Sequence, residues 1–422
     1  MKIAFVSHPG YAVLPPAGSV EICTHEVARR LAERHAVTVY GSSAPGREDA
    51  TDAGIRYRFI RHGADAKLGR VFRPLHRLRP ADKGFFASPL NSLLYWLRVA
   101  SDIRREGYDV VHVANLTQAL PVIRRLNPDI RLVLHMHCEW LIQLDRRLVA
   151  RRLRHADAIL GVSRHITEPI RERFPDLADR CHTVSNGVEI GPEPAPREAD
   201  GTVTLLHVGR ISPEKGHHVL FDALNQVLPD HPQVRLVLVG EESVIPIEWA
   251  VGISSDPVIR DLERFYGSSY LEQIKDRMSK ALAERTQFVG RIDHSETARH
   301  YAAADLFVFP SYFESMGIPP VEAMAAGLPV ISSPVGGANE SVVEGETGLF
   351  VERGDVDGLA AAIVALVDDP ARRAALGAAG RARAAKHFSW DGVTAEFEHV
   401  LETAARAPRA PSRHVATPVS ET

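Results

Sequence analysis

Two glutamates, Glu314 and Glu322, are the residues of this chain whose type and spacing most directly suggest chemistry. They lie eight positions apart, in a stretch that begins with an apolar strand-like run and continues through prolines into a helical pattern. Pro319 and Pro320 suit the first turn of a helix, so we expect Glu322 just inside that helix and Glu314 on the loop before it. A carboxylate can accept two hydrogen bonds from neighbouring sugar hydroxyl groups. An ordinary strand, loop and helix with capping carboxylates would give the same spacing.

The loop between these two carboxylates is expected to present backbone N–H groups to a ligand. A helix N-terminus carries unpaired N–H groups and a partial positive charge, which together favour an anionic or hydroxyl-rich ligand. The predicted ligand-binding residues of this loop are Ser315, Met316, Gly317 and Ile318.

A second candidate group follows the apolar run 203–208, where the sequence reads GRISPEKG from Gly209 to Gly216. Arg210 and Lys215 would place two cations at the carboxyl end of a strand, which is the edge where an open parallel sheet binds ligands. Gly216 would allow close approach of the backbone. Taken alone, the two cations are a weak signal, because exposed basic residues are usually only solvated.

A histidine follows another apolar run, residues 132–136. His137 comes at the carboxyl end of this predicted strand, so its side chain is expected to point toward the cleft. The alternative is a histidine whose ring is satisfied by a neighbouring backbone group. His135 lies within the strand and is expected to pack or hydrogen-bond locally.

These motifs are similar to those of a known enzyme family. The sequence ESMGIPPVEAMAAGLPV, which begins at Glu314, resembles the E-x7-E element of family 4 glycosyltransferases, and GRISPEKG resembles the basic region of the same family. These are retaining enzymes of the GT-B fold. The resemblance implies that Arg210 and Lys215 bind the diphosphate of a nucleotide-sugar donor. It also implies that Glu314 holds the sugar or an adjacent phosphate oxygen and that Glu322 binds the ribose diol.

The resemblance covers nearly the whole chain. His137 matches the histidine that this family often places beside the donor sugar, and FVGRI (288–292) resembles the segment that reads the base through backbone groups. Near the first strand the family commonly shows paired glycines and then a glutamate, and here the sequence is GSVE, a partial match that starts at Gly18. The remaining predicted substrate-binding residues are Gly18, Gly209, Arg291 and Ile292.

Composition limits the classes of partner. The chain has 422 residues, 45% hydrophobic and 24% charged, with a formal net charge of -3, so nucleic acid is not an expected partner. Three cysteines show no metal-ligand spacing, and no D-x-D triplet stands at a predicted strand end, so we expect no metal and no cofactor. The start MKIAFVSH lacks signal-peptide features and no run of about 18 apolar residues occurs, so a cytoplasmic location is expected.

One segment, 61–83, is strongly basic, with only two acids. Such a segment could dock on anionic lipid, which would make the protein peripheral at a membrane, or it could bind an anionic acceptor. A solvated loop is the stronger interpretation, because the charges show no clean amphipathic period. The basic residues are Arg61, His62, Lys67, Arg70, Arg73, His76, Arg77, Arg79 and Lys83.

The order of predicted elements gives the fold class. Strands rich in Val, Ile and Leu alternate with helices through both halves, which indicates an α/β protein of two Rossmann-like parallel-sheet domains facing each other over a cleft. The resemblance adds a C-terminal helix that crosses back onto the first domain. Residues 241–280 form an insert to which the sequence assigns no role. The predicted divisions are an acceptor-side domain 1–189, a linker 190–201, a donor-side domain 202–387, a returning helix 388–405 and a disordered tail 406–422.

The resemblance implies transfer of a sugar from a nucleotide diphosphate sugar, with UDP ahead of GDP, to a glycan, a lipid-linked or a small natural-product acceptor. A nucleotide-sugar epimerase of the same fold and a non-catalytic nucleotide-sugar-binding protein are the alternatives. A dinucleotide oxidoreductase would need the G-x-G-x-x-G fingerprint, which the first loop lacks.

Overall fold

The structure is a computed structural model that describes residues 1–16, 18–43, 48–76, 80–193 and 201–406. Two sheets, each covered by helices, form two α/β domains, as the sequence predicts. Strands buried on both faces can be apolar along their whole length, which explains the Val- and Leu-rich runs.

The amino-terminal sheet has eight strands in the order β3-β4-β2-β1-β5-β6-β7-β8, and only β3 runs antiparallel to its neighbour. Its centre is β1, where Ile3 pairs with Val37 on one side and Val110 on the other. The bounds are β1 (Lys2–Val6), β2 (Ala36–Ser43), β3 (Ala50–Asp52), β4 (Ile55–Arg61), β5 (Val110–Ala114), β6 (Arg131–Met136), β7 (Ala158–Gly161) and β8 (Cys181–Thr183).

The carboxy-terminal sheet is parallel throughout, in the order β11-β10-β9-β12-β13-β14. Because β9 and β12 are neighbours, with Leu205 paired to Leu306, the loops after these two strands meet at one edge of the sheet. The bounds are β9 (Val203–Val208), β10 (Val234–Val239), β11 (Thr286–Gly290), β12 (Leu306–Phe309), β13 (Val330–Ser332) and β14 (Gly348–Phe350).

The helices cover both faces of the sheets. In the described part of the chain, no helix is both long and apolar enough to cross a membrane. The described helices of the first domain are α1 (Ser19–Leu31), α2 (Gly63–His76), α3 (Leu93–Glu106), α4 (Ala119–Leu126), α5 (Trp140–Gln143), α6 (Arg146–Leu153) and α7 (Arg164–Arg173). The rest are α8 (His217–Val227), α9 (Pro257–Arg260), α10 (Tyr270–Lys275), α11 (Lys280–Arg285), α12 (Thr297–Ala302), α13 (Ile318–Ala325), α14 (Ala338–Ser341), α15 (Val356–Val367), α16 (Pro370–His387) and α17 (Trp390–Arg406).

The last helix, α17, returns to the first domain. Phe397 stacks on Phe5 of β1 with ring centroids 6.0 Å apart, and Leu401 is fully buried in the same apolar cluster. The backbone N–H of Val188 donates to the carbonyl of Phe388 at 2.7 Å, just before α17 begins. Burial of this apolar stripe fixes the returning helix that the resemblance implies.

One expectation needs correction. Residues Gly63–His76 of the basic segment form α2, not a solvated loop. Sequence analysis did not predict this helix because its charges have no clean period. A tertiary hydrogen bond helps to hold it: the buried Asp65 side chain accepts from the backbone N–H of Leu94 in α3 at 2.8 Å. Residues 77–79, 194–200 of the predicted linker and 407–422 of the predicted tail lie outside the described residues.

Candidate active site

The loop after β9 carries Arg210 and Lys215 on a short 3-10 turn, Pro213–Lys215. The Arg210 guanidinium donates to Glu214 Oε1 at 3.0 Å, and the other Glu214 oxygen accepts from Ser212 Oγ. Glu214 is only 1% exposed, whereas the Arg210 side chain is 43% exposed. The buried carboxylate therefore anchors the arginine and leaves part of its guanidinium free for an anionic ligand.

Gly216 ends this loop in a conformation that requires glycine. Its φ of +72° is left-handed, and a Cβ at this position would lie 2.0 Å from the carbonyl oxygen of Pro310. Because only glycine permits that approach, the basic loop packs directly on the end of β12.

This packing brings Lys215 to Glu314, 99 residues along the chain, and the two form an ion pair. The pair is mostly buried, with side-chain exposures of 14% and 11%. Lys215 Nζ also lies 5.3 Å from the ring centroid of Phe309, over the aromatic face. The pair sets a cation and a carboxylate side by side at the sheet edge, where a phosphate and a sugar hydroxyl could each find a partner.

The loop that carries Glu314 packs closely on Gly336. Its φ is +52°, and a Cβ there would lie 1.6 Å from the carbonyl oxygen of Glu314. On the other side the loop contacts the first domain: Ser163 Oγ donates to the carbonyl of Ser315 at 2.6 Å, and the N–H of Asn186 points at Met316 Sδ at 3.1 Å. The loop therefore lies between the two domains.

Helix α13 begins at Ile318, after Gly317 and with prolines in its first turn, so Glu314 is on the loop and Glu322 is inside the helix, as the prolines predict. Ile318 itself packs against the apolar cluster of the first domain. Pro319 and Pro320 have no N–H, so the backbone donors at this helix start are Ile318 and the loop residues before it, Ser315, Met316 and Gly317.

Glu322 is held by two residues that sequence analysis missed. His294 Nε2 lies 2.7 Å from one carboxylate oxygen, and the Tyr301 hydroxyl donates to the other at 2.8 Å. The hydrogen bond to Glu322 raises the pKa of His294 above its usual value. A carboxylate has about four acceptor positions, so both oxygens can still accept from a diol. The two partners fix the orientation in which they would do so.

His137 has a different environment. Its backbone N–H donates to Asn115 Oδ1 at 2.7 Å, and its ring lies 4.3 Å from the ring of His135. The ring lines a cavity of about 20 Å³ together with Cys23 and Trp390, inside the first domain beneath α17. Among the described residues, Nε2 has no hydrogen-bond partner, and burial lowers the pKa of His137 to about 4. The imidazole of His137 is therefore neutral, and the cavity it lines also borders Asn186, which contacts Met316 of the Glu314 loop.

The other predicted binding residues lie on loops of both domains. Gly18 is the N-cap of α1, and Glu21 in the first turn is buried, which raises its pKa to about 7. Arg291 is largely exposed and pairs with Glu241 at 3.1 Å, at the root of the insert. Ile292 is partly buried against the apolar core. Gly209 follows β9 directly, and its N–H donates to the carbonyl of Val239 at 2.9 Å.

A third carboxylate, Glu340, joins the domains. It accepts from the backbone N–H groups of Arg164 at 3.0 Å and His165 at 2.8 Å, at the start of α7. Sequence analysis missed Glu340, His294, Tyr301 and Ser163, because each comes from an element distant in sequence and only the fold brings it to the cleft. Glu214 could have been found from the sequence, since it lies between the two predicted cations Arg210 and Lys215. Among the described residues, no group of three or more His, Cys, Asp and Glu side chains could hold a metal ion.

A glycosyltransferase of two Rossmann-like domains is the class that this fold and these motifs define. Residues 20–191 match the family described as Glycosyltransferase Family 4, and residues 193–383 match Glycosyl transferases group 1. The chain belongs to the family 4 glycosyltransferases, with the GT-B fold.

Individual relatives agree with this assignment. Glycogen synthase of Mycobacterium tuberculosis is 34% identical over 61% of this chain, and the match spans 57% of that protein's length. A GDP-mannose-dependent alpha-(1-6)-phosphatidylinositol monomannoside mannosyltransferase of Mycolicibacterium smegmatis is 27% identical over 92% of this chain and 95% of its own. Sucrose-phosphate synthase from Thermosynechococcus elongatus superposes with a TM-score of 0.72 over 96% of this chain and 99% of that one, at 23% identity, which shows the shared fold.

Proposed function

We propose that this protein transfers a sugar from a nucleotide diphosphate sugar, UDP first and GDP second, to an acceptor, retaining the anomeric configuration and using no metal ion. The observation that carries the proposal is the Lys215–Glu314 ion pair beside Arg210, at the edge where β9 and β12 end. A diphosphate leaving group needs positive charge, and two side-chain cations supply it there.

The proposed roles follow from the contacts. Departure of the diphosphate develops negative charge, which Arg210, Lys215 and the backbone N–H groups near Gly317 would stabilise. Glu314 would hold the sugar or an adjacent phosphate oxygen, and Glu322, oriented by His294 and Tyr301, would accept the ribose diol. In this front-face scheme the acceptor proton passes to the donor phosphate oxygen as the glycosidic bond forms, so no protein base is required.

For His137 we propose the role that its place in the sequence suggests, a hydrogen bond to the donor sugar from the first domain. Its ring faces the cavity beneath α17. Asn186 lines the same cavity, and its N–H points at Met316 Sδ of the Glu314 loop at 3.1 Å, so this cavity borders the proposed donor site.

The acceptor is proposed to be a glycan, a lipid-linked glycan or a small natural product. A relative that acts on phosphatidylinositol monomannoside supports the lipid-linked case, and the basic segment 61–83 would then give weak contact with an anionic membrane. On α2, Leu68 and Val71 are exposed beside Lys67 and Arg70. Sedimentation with phosphatidylglycerol vesicles should show binding that weakens as salt rises. No binding at low salt would contradict this contact.

The test of function is a transfer assay with UDP-, GDP- and ADP-sugars against a panel of glycan acceptors. We expect release of the nucleotide diphosphate, a product whose anomeric proton coupling matches the donor, and full activity in excess EDTA. Inverted product, or activity lost in EDTA and restored by magnesium, would contradict the proposal. A new nucleotide-sugar isomer formed without acceptor would identify an epimerase instead.

A further inference from the structure

The insert after β10, residues 241–280, begins at the basic loop that carries Arg210. The N–H of Ile211 donates to the carbonyl of Glu241 at 2.9 Å, and the N–H of Ser243 donates back to Ile211 at 3.3 Å. The insert thus leaves the sheet beside the residues proposed to bind the donor diphosphate. It then reaches a short 3-10 turn, Ile247–Trp249.

Trp249 at the end of this turn contacts two aromatic residues of the other domain, and the three rings are called the aromatic bridge below. Phe86 and Trp140 lie 4.9 Å apart between centroids, and Trp249 lies 6.1 Å from each of them, edge-on to Trp140. All three rings are partly buried, so part of each remains accessible. The bridge spans the cleft, because Trp249 belongs to the donor-side domain and Phe86 and Trp140 belong to the acceptor-side domain.

The acceptor-side end of the bridge is connected to the proposed reaction centre. Trp140 begins α5, three residues after His137, and its neighbour Glu139 pairs with His165 at 2.5 Å. The N–H of His165 donates to Glu340 of the other domain, and Ser163, the N-cap of the same helix, contacts Ser315. The acceptor-side end of the bridge is therefore connected to the Glu314 loop through α7, and the other end to the Arg210 loop through the start of the insert.

We propose that the aromatic bridge is the acceptor subsite and that it stacks a pyranose ring of a saccharide acceptor, an inference that rests on the proposed function. Aromatic faces carry negative charge density and sugar C–H faces are weakly positive, so a pyranose packs on Trp and Phe rings. The three rings are partly exposed, whereas Trp96 in the core of the first domain is fully buried. The insert gains a role that its sequence does not reveal: it carries an acceptor contact from the donor-side domain.

Intrinsic fluorescence can test this without turnover. The chain has four tryptophans, and Trp96 and Trp390 are buried, so a bound saccharide should perturb Trp140 and Trp249. Maltotetraose and mannotriose are titrated with UDP or GDP present, with p-nitrophenol as a planar competitor that lacks a sugar. In Trp249→Ala the Kd of the saccharide should rise about ten-fold. Trp249→Phe should stay near wild type, and the control Val258→Ala, exposed on α9 of the same insert, should not change.

Kinetics separate a binding contact from a structural one. Trp249→Ala should raise the acceptor KM about ten-fold while donor KM and donor hydrolysis without acceptor stay within about two-fold. Equal loss in donor KM and kcat would show that the bridge only holds the domains together, and unchanged acceptor KM would also overturn the proposal. The proposal would also be overturned if p-nitrophenol bound and neither saccharide did. If a saccharide binds through Trp249 but no nucleotide sugar supports transfer, the proposed function fails and the saccharide subsite stands.

Discussion

At the scale of single residues, Lys215 is proposed to supply a positive charge to the leaving diphosphate. Lys215→Ala should cost at least ~2 kcal/mol of transition-state stabilisation and so lower kcat/KM about 30-fold, because it removes a cation from the leaving diphosphate and leaves Glu314 unpaired. Steady-state kinetics with saturating acceptor measure this change. Lys280→Ala, on an almost fully exposed side chain of the same domain, is the matched control. Wild-type kinetics in Lys215→Ala would remove the assignment.

The two glutamates should separate binding from chemistry. Glu322→Gln weakens a charge-assisted contact with the ribose that is similar in ground and transition states. Donor binding should therefore weaken by ~1 to 3 kcal/mol, which raises donor KM several-fold or more, while kcat stays unchanged. Glu314→Gln should lower kcat instead, because Glu314 pairs with Lys215 nearer the transferred sugar. Measuring both constants for both variants decides the roles. Normal donor KM with lost turnover in Glu322→Gln would place Glu322 in the chemical step.

Glu21 should make stability depend on pH. Burial raises its pKa from 4.5 to about 7, so between these values the folded protein keeps a proton that the unfolded chain has lost. The free energy of unfolding should therefore fall as pH rises through that window, by up to about 3 kcal/mol, and level off above it.

Glu21→Gln should remove this part of the dependence. Urea titrations of wild type and variant at pH 5 and pH 8 compare the two slopes. If the difference between wild type and Glu21→Gln is the same at both pH values, then the carboxyl titrates normally.

How much of the site can be read from sequence differs between residues. Glu314, Glu322, Arg210 and Lys215 stand in contiguous motifs, so their positions at strand ends and a helix start are predictable. The partners of Glu322 are not, because His294 and Tyr301 come from a different loop and helix. His137 shows the converse, since its place after β6 is predictable but the direction of its ring depends on α17.

At the scale of elements, the turn at Gly336 supports the Glu314 loop. Gly336→Ala should lower the midpoint of thermal unfolding and abolish most activity, because its Cβ would collide with the carbonyl of Glu314. Gly345→Ala is a matched control, since its φ is also left-handed but no atom lies within 4 Å of a Cβ. Both variants pay about 1 kcal/mol for the backbone conformation, and only Gly336→Ala should lose activity. Equal activity in the two would contradict this support.

Elements are predictable where local signals and burial agree. The prolines and Gly317 mark the start of α13, and the Val-rich runs mark the strands. Helix α2 was hidden, because its stability comes from packing on α3 rather than from its own pattern. The insert 241–280 was visible only as excess length, and its path to Phe86 and Trp140 is a property of the assembled domains.

At the scale of the whole molecule, the contacts that join the domains near the proposed centre include Ser163 with Ser315, Asn186 with Met316, and Glu340 with the start of α7. The pairing of two α/β domains and the returning helix are predictable from the order of elements and the resemblance. These particular contacts are not, because each joins residues more than 100 positions apart.

The most direct test of the central claim is the midpoint of thermal unfolding with nucleotides. UDP, GDP, ADP and their sugars are compared with the monophosphates, in wild type and Lys215→Ala. At least one diphosphate should raise the wild-type midpoint, its monophosphate should raise it less, and the shift should shrink in Lys215→Ala, because ligands stabilise the folded state that binds them. No shift with any diphosphate, or an equal shift in the variant, would contradict a nucleotide-diphosphate site at Lys215 and Glu314.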